Sequence, residues 1–385
     1  MNSVVERALL GSSVAILALI VNVSSVHAHV KWFSSFDVSA GPNGLDYLFL
    51  HDFRLLVVLS LLVMALGCLL EESPLGPRVM NALDRVTVWL RTDADVLVRT
   101  VCGFFFIALW TKGGIILTPE LTTALPEISW LQLAIAIALI WRVTSPLAAL
   151  GIVVLFGLAV REYGIFHLAD YPVFLGIAAY LTLTGLQRDF FGIRPLDIVR
   201  WAAAITLMWA SIEKWAYPHW SLPLIADHPS MTMGYDSGFF LRAAGVIEFT
   251  LAFALLWTPL VRRAAAIMLA AMFIAACFEF GKIDVIGHAG IIIVLLAIIG
   301  DDARKEVGRR HLVLAPVSYA DALAGFLAIY YGAHAALFTN SYTTGATLVQ
   351  PAENPETRVG KKLYGVHLIR PEPPASSSGE FHTEH

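Results

Sequence analysis

Long uninterrupted apolar runs dominate this chain and leave it few choices of fold. A run of roughly 17 to 21 apolar residues, coiled as a helix, crosses about 30 Å of hydrocarbon, where no water can satisfy unpaired backbone groups. Such runs lie near residues 8 to 26, 54 to 70, 99 to 117, 128 to 142, 146 to 160, 171 to 186, 199 to 216, 239 to 257, 263 to 280, 285 to 300 and 319 to 337. With 57% hydrophobic and 15% charged residues in 385, and a mean hydropathy of +0.70, the chain has more apolar surface than one water-soluble core could hide. The expected fold is all-α: a polytopic membrane helical bundle of about eleven helices, or about ten if the first run is a cleaved signal. Its partner is a lipid bilayer, and a net charge of -4 provides no footprint for nucleic acid.

Arginines order the runs, because short cytoplasmic loops collect Lys and Arg. Arg78, Arg85, Arg91 and Arg99 share one loop; Arg142, then Arg188 with Arg194, Arg262 with Arg263, and Arg304, Lys305, Arg309 and Arg310 fall in every second loop thereafter. With Arg7 ahead of the first run, this alternation predicts an inner-membrane protein whose amino terminus starts in the cytoplasm and whose tail ends in the periplasm. Residues 78 to 91 alternate apolar and charged positions as an interfacial amphipathic helix does. Val26-His27-Ala28 closes the first run in the manner of a signal-peptide cleavage site, so that run is either a removed signal or an uncleaved first helix. Either outcome puts His29, Lys31 and Trp32 on the exported side.

An internal repeat runs through the middle of the chain. Ala138-Leu139-Ile140-Trp141, Pro146-Leu147 and Glu162-Tyr163-Gly164 return as Ala254-Leu255-Leu256-Trp257, Pro259-Leu260 and Glu279-Phe280-Gly281, with the tryptophans 116 residues apart. That period implies a duplicated multi-helix unit, and an even number of helices per copy makes the copies parallel. The expected division is 1–28, signal peptide or first helix; 29–98, outer segment, membrane helix and amphipathic loop; 99–190 and 198–300, two four-helix repeats; 301–338, basic loop and last helix; and 339–385, a flexible exterior tail rich in Pro and Ser.

An ionisable side chain at membrane depth costs at least about 2.5 to 3.5 kcal/mol, which makes each one a candidate for function. Glu162, His167 and Asp170 gather at the outer end of the first repeat, and Glu279, Lys282, Asp284 and His288 at the matching place in the second. Glu213, Lys214, His219, Asp227 and His228 fall at the end of the seventh run and in the loop beyond it, where His29, Lys31 and His334 can join them. Glu248 lies inside the eighth run, where the first repeat has Gln132, and Lys214 is its expected partner. Glu162 and Glu279 also have structural readings, as caps or as partners of Arg161 and Lys282, and Lys112 and Lys214 can simply snorkel to the interface. Histidines ligate metals near neutral pH, and His29, His219, His228 and His288 are the metal candidates. No H-x-x-H, H-x-x-x-H or H-E-x-x-H spacing accompanies them. Cys68, Cys102 and Cys277 stand far apart and read as small apolar residues in membrane helices. Phosphate-binding, dinucleotide, nucleophile-elbow and haem-attachment motifs are missing from the sequence.

The unit that opens Arg200-Trp201, runs to Glu213-Lys214, continues as Leu241-Arg242-Ala243-Ala244-Gly245-Val246-Ile247-Glu248 and closes with a hydrophobic pair resembles the DoxX-like membrane family. The resemblance spans residues 99 to 300 as two copies, and the family's lysine and glutamate map to Lys214 and Glu248; the first copy departs from it at Gln132. It implies a membrane subunit or partner in quinone-linked or stress-related redox complexes, with membrane or periplasmic redox proteins as partners. On that reading the candidate polar site is Lys214, Glu248, Glu279, Asp284, His288 and Glu162, and the ligand a quinone or other small molecule.

Two rival readings stand beside it. Ala28-His29-Val30-Lys31-Trp32-Phe33 resembles the start of some exported copper-handling proteins, which implies a copper-type ion held on the periplasmic face. Alternatively, the chain is a structural or assembly subunit without chemistry of its own.

Overall fold

A computed structural model describes residues 30–34, 36–188, 192–302 and 309–339. Among them are twelve helices of ten or more residues: α1 (His51–Glu72), α2 (Gly76–Thr92), α3 (Ala94–Lys112), α4 (Glu127–Ala138), α5 (Ser145–Tyr163), α6 (Pro172–Leu186), α7 (Pro195–Ala216), α8 (Pro218–Asp227), α9 (Ser237–Ala254), α10 (Pro259–Phe280), α11 (Lys282–Gly300) and α12 (Arg309–His334). No strand is present among the described residues. The last ten predicted runs coincide with α1, α3 to α7 and α9 to α12. The first run, its cleavage site, His29 and the tail from 340 lie outside the described residues.

Seven helical segments are long and apolar enough to cross a membrane: 51–72, 94–112, 142–163, 237–254, 259–280, 282–300 and 314–338. The protein is therefore a multi-pass membrane protein. Three of the eleven expected runs fall short for identifiable reasons. The 12 residues of α4 and 15 of α6 rise only about 18 and 22 Å at 1.5 Å per residue. In α7 the length is sufficient, but Asp197, Arg200, Glu213 and Lys214 interrupt it.

Local chemistry sets the helix ends. Proline occupies the first turn of α2, α5, α6, α7, α8 and α10, where its missing N–H is not needed. Asp236 caps α9 by accepting from the Phe239 amide at 2.8 Å. The two glycines of the repeated Glu-aromatic-Gly triplet end α5 and α10 with φ of 82° at Gly164 and 81° at Gly281, a region that disfavours any side chain.

The helices pack in a closed order. α3, α4, α5 and α6 touch in sequence, α6 meets α7, then α7 meets α9, α9 meets α10, α10 meets α11, and α11 returns to α3. Outside this ring, α1 packs on α9, α10 and α12, while the amphipathic α2 lies against α11. The free face of α1, with Val58, Leu62, Val63 and Leu66 exposed, suits lipid.

Arginines tie together one end of the bundle. Asp301 accepts from Arg194 at 2.9 Å and Arg262 at 3.2 Å, Arg263 reaches Asp84 at 2.6 Å, and Arg99 caps the carbonyls of Leu139 and Ile140 at 3.0 and 2.9 Å. The positive charges that predict topology thus also serve as caps and struts. Across the opposite end runs the segment before α1, a strap fixed by Asn43 N–H to the Ala216 carbonyl at 2.8 Å, Tyr217 hydroxyl to the Ala40 carbonyl at 2.9 Å, and Tyr331 hydroxyl to the Asn43 carbonyl at 2.8 Å.

Candidate functional site

Beneath the strap, three distant parts of the chain meet at a buried ammonium. Lys31 donates to Asp170, in the turn before α6, and to Glu213, in the last turn of α7, the latter at 2.7 Å. Its Nζ also lies 5.6 Å from the Trp220 ring centroid, within cation–π range. Burial opposes the charge on Lys31, but Asp170 and Glu213 outweigh it and hold the group above its ordinary value. Lys31 is therefore a cation at neutral pH. A buried cation between two carboxylates leaves an excess of negative charge, and neighbouring donors must temper it.

Those neighbours form the second layer of the site. Glu120, in the loop between α3 and α4, accepts from Thr118 at 2.8 Å and from the Tyr171 hydroxyl, and lies 4.0 Å from Nε2 of His167. Burial raises the Glu120 carboxyl and favours its protonated form. The His167 ring is 1% exposed, stacked on Phe36 at 5.2 Å and flanked by Tyr163 and Tyr171. Burial, aided by the Lys31 charge, pushes His167 well below the usual imidazole range, so the ring is neutral at pH 7. Both of its nitrogens, Glu120 Oε2 and Asp170 Oδ1 have no hydrogen-bond partner among the described residues. Buried polar atoms are seldom left so, and either ordered water or a ligand ordinarily supplies such partners.

Elsewhere, Lys214 donates to Glu248, joining α7 to α9. At the corresponding place in the first half, the Gln132 amide donates to the carbonyls of Ile115 and Ile116 at 2.6 and 3.0 Å. The remaining expected site residues are dispersed. Glu162 is exposed at the end of α5. Glu279 is 3.1 Å from Nδ1 of His228, and both lie at the surface. His219 packs on Tyr217 and Trp220. Asp284 Oδ2 is 2.9 Å from His288 Nδ1 in a separate buried spot under Trp32 and Phe273. A metal set drawn from His219, His228 and His288 is thus not assembled among the described residues, because each packs against different rings.

The repeat singles out Glu162 and Glu279, but it is the glycines of their triplets that end the helices, while both carboxylates are exposed. No sequence motif marks Glu120 or Tyr171. Glu120 has only one sequence signal, an acid in a short apolar loop with no lysine or arginine nearby.

No family model, no curated protein and no solved structure matches this chain.

Proposed function

We propose that this protein is a tandem DoxX-like bundle whose strap-end cluster binds the head group of a quinone-type ligand and exchanges protons with it, as a membrane subunit of a redox or stress-related complex. The closed helix order and the paired glycine ends at Gly164 and Gly281 support the tandem reading, since α3 to α6 and α7 to α11 repeat one scheme. The arginine-tied end supports an inner-membrane orientation with the strap on the periplasmic side.

One observation carries the ligand reading: His167 is wholly buried, neutral, and unpartnered at both nitrogens beside two further unpartnered carboxylate oxygens. A neutral imidazole offers one donor and one acceptor, which suits a group alternating between carbonyl and hydroxyl. The protonated Glu120 provides a proton donor beside it, and Asp170, paired with Lys31, a proton acceptor in the same cluster. Oxidation of a quinol head group there would pass two electrons to the redox partner of the complex and release two protons to solvent by way of Asp170.

Titration of the detergent-purified protein with a short-chain ubiquinone analogue, followed by tryptophan fluorescence, tests this. Saturable binding is expected, weakened about tenfold or more by His167→Ala and Glu120→Gln, a loss of about 1.4 kcal/mol. The exposed control Glu162→Gln leaves it unchanged. If ordered water alone fills the unmet hydrogen bonds, no saturation occurs and the reading fails.

A further inference from the structure

The turn from α10 to α11 brings a thiol, a carboxylate and an imidazole together without contributing to the cluster around His167. Gly281 ends α10 in a left-handed conformation and lets the chain reverse at once into α11, which begins at the next residue. Cys277 on the last turn of α10 thereby faces Asp284 and His288, which lie four residues apart on one face of α11. One ligand atom from each of the three stands within 4.8 Å of the others. Such separations close to a coordination sphere with side-chain rotations alone, since metal–ligand bonds of about 2.0 to 2.3 Å place neighbouring ligands a little over 3 Å apart.

From this geometry we infer a first-row transition-metal site of zinc type, formed by the Cys277 thiolate, the Asp284 carboxylate and the His288 imidazole. A second observation points the same way. Asp284 is 1% exposed, and its Oδ1 has no hydrogen-bond partner among the described residues although Oδ2 binds His288 at 2.9 Å. A carboxylate buried with one oxygen unsatisfied is costly, and a cation supplies what it lacks. Cys277 is a free cysteine, available as a ligand.

The donor set selects the ion. A thiolate disfavours magnesium and calcium, whereas sulfur, nitrogen and oxygen together suit zinc and, as its spectroscopic stand-in, cobalt(II). Binding exchanges the thiol proton of Cys277 for the metal–sulfur bond and releases that proton to solvent, with no change of oxidation state. Three protein ligands leave a fourth position for water or an incoming group, the pattern of exchangeable rather than purely structural zinc. Trp32 and Phe273 flank the imidazole, and the Trp32 ring sits so close to Gly287 that a Cβ there would meet its edge at 1.7 Å. The strap therefore covers this site as well as the His167 cluster, with Lys31 over one and Trp32 over the other.

The test uses the full chain in detergent, stripped with a chelator and reloaded with zinc or cobalt(II). One equivalent per chain is expected by elemental analysis, and the cobalt(II) form should show an intense thiolate-to-metal charge-transfer band. Cys277→Ser should abolish the band, and Asp284→Asn and His288→Ala should each weaken zinc binding at least tenfold. His228→Ala, at the separate surface pair, should leave both readouts unchanged. Absence of stoichiometric metal, or a cobalt(II) spectrum without the thiolate band in the unsubstituted protein, overturns the site whether or not the variants fold. Quinone titration addresses the other cluster, so the two readings fail separately.

Discussion

Two polar positions that the sequence repeat aligns, Lys214–Glu248 in residues 198–300 and Gln132 in residues 99–190, solve one problem differently. In the second half, Lys214 on α7 meets Glu248 on α9, a charge pair that ties two helices. In the first half, Gln132 on α4 turns its amide back on the carbonyls of Ile115 and Ile116 and holds the loop after α3 in place. An amide satisfies two backbone acceptors and needs no counter-ion, whereas a buried glutamate needs its lysine. The first half thereby has a pinned loop, and that loop positions Glu120 next to His167. The second half has no such loop between α7 and α9; α8 stands there and places Trp220 beside Lys31. The difference between these two polar positions thus accompanies the His167 cluster on one side and the Cys277 cluster on the other.

The sharpest way to break this picture is to remove the cation the halves share. Lys31→Met should destabilise the protein by about 3 to 5 kcal/mol, because Asp170 and Glu213 are left buried against each other. Adding Asp170→Asn and Glu213→Gln should recover much of that in thermal unfolding; no recovery would mean the lysine acts through packing alone. Gly287→Ala comes next, at about 1 to 3 kcal/mol, since the new methyl displaces Trp32 from α11. Limited proteolysis should then cut the strap in the variant but not in the parent.

The polar pair itself gives a graded comparison. Lys214→Met should cost about 2 kcal/mol by orphaning Glu248, and Gln132→Leu about 1 kcal/mol by freeing two carbonyls. Equal losses would show that the halves do not differ in the way proposed.

The pH dependence of stability sharpens the first-half cluster. His167 is neutral when folded, so below pH 6.5 the unfolded chain gains a proton that the native one refuses, and stability falls on acidification. Burial raises the Glu120 carboxyl in the folded chain, so above pH 4.5 the unfolded chain releases a proton that the native chain retains until its own raised value is passed, and stability falls over that interval. Where that interval overlaps the His167 range below pH 6.5, the two slopes oppose each other. His167→Asn should leave a stability that declines with rising pH in that window, and Glu120→Gln one that increases, each by at most about 1.4 kcal/mol per unit. The smallest effect belongs to Glu279→Gln, which disrupts only the surface contact with His228; Glu279 is 46% exposed, and less than about 1 kcal/mol is expected.

Much of the architecture is legible without coordinates because it depends on local chemistry. Apolar length marks ten helices, proline marks where four of them begin, and the glycines at 164 and 281 mark where two of them end. The Lys214–Glu248 contact could also be anticipated, since each residue is an ionisable group in an apolar run and the two runs follow one another in the sequence. Length alone misjudged α4, where the apolar run continues to Trp141 but the helix stops at Ala138 and turns toward Arg142. Cys277 looked like filler, because its value as a ligand depends on a helix reversal that brings α11 back beside it.

Sequence by itself determined that the chain lives in a bilayer, which segments coil, and in which loops the arginines gather, since burial of apolar length and backbone pairing are decided within each segment. Only the tertiary structure decided which polar residues meet. Lys31 finds Asp170 across 139 positions and Glu213 across 182, and no spacing within one helix encodes such contacts. They depend on α6 packing against α7 and on the strap lying across both, so the choice of site rests with helix packing rather than with any motif.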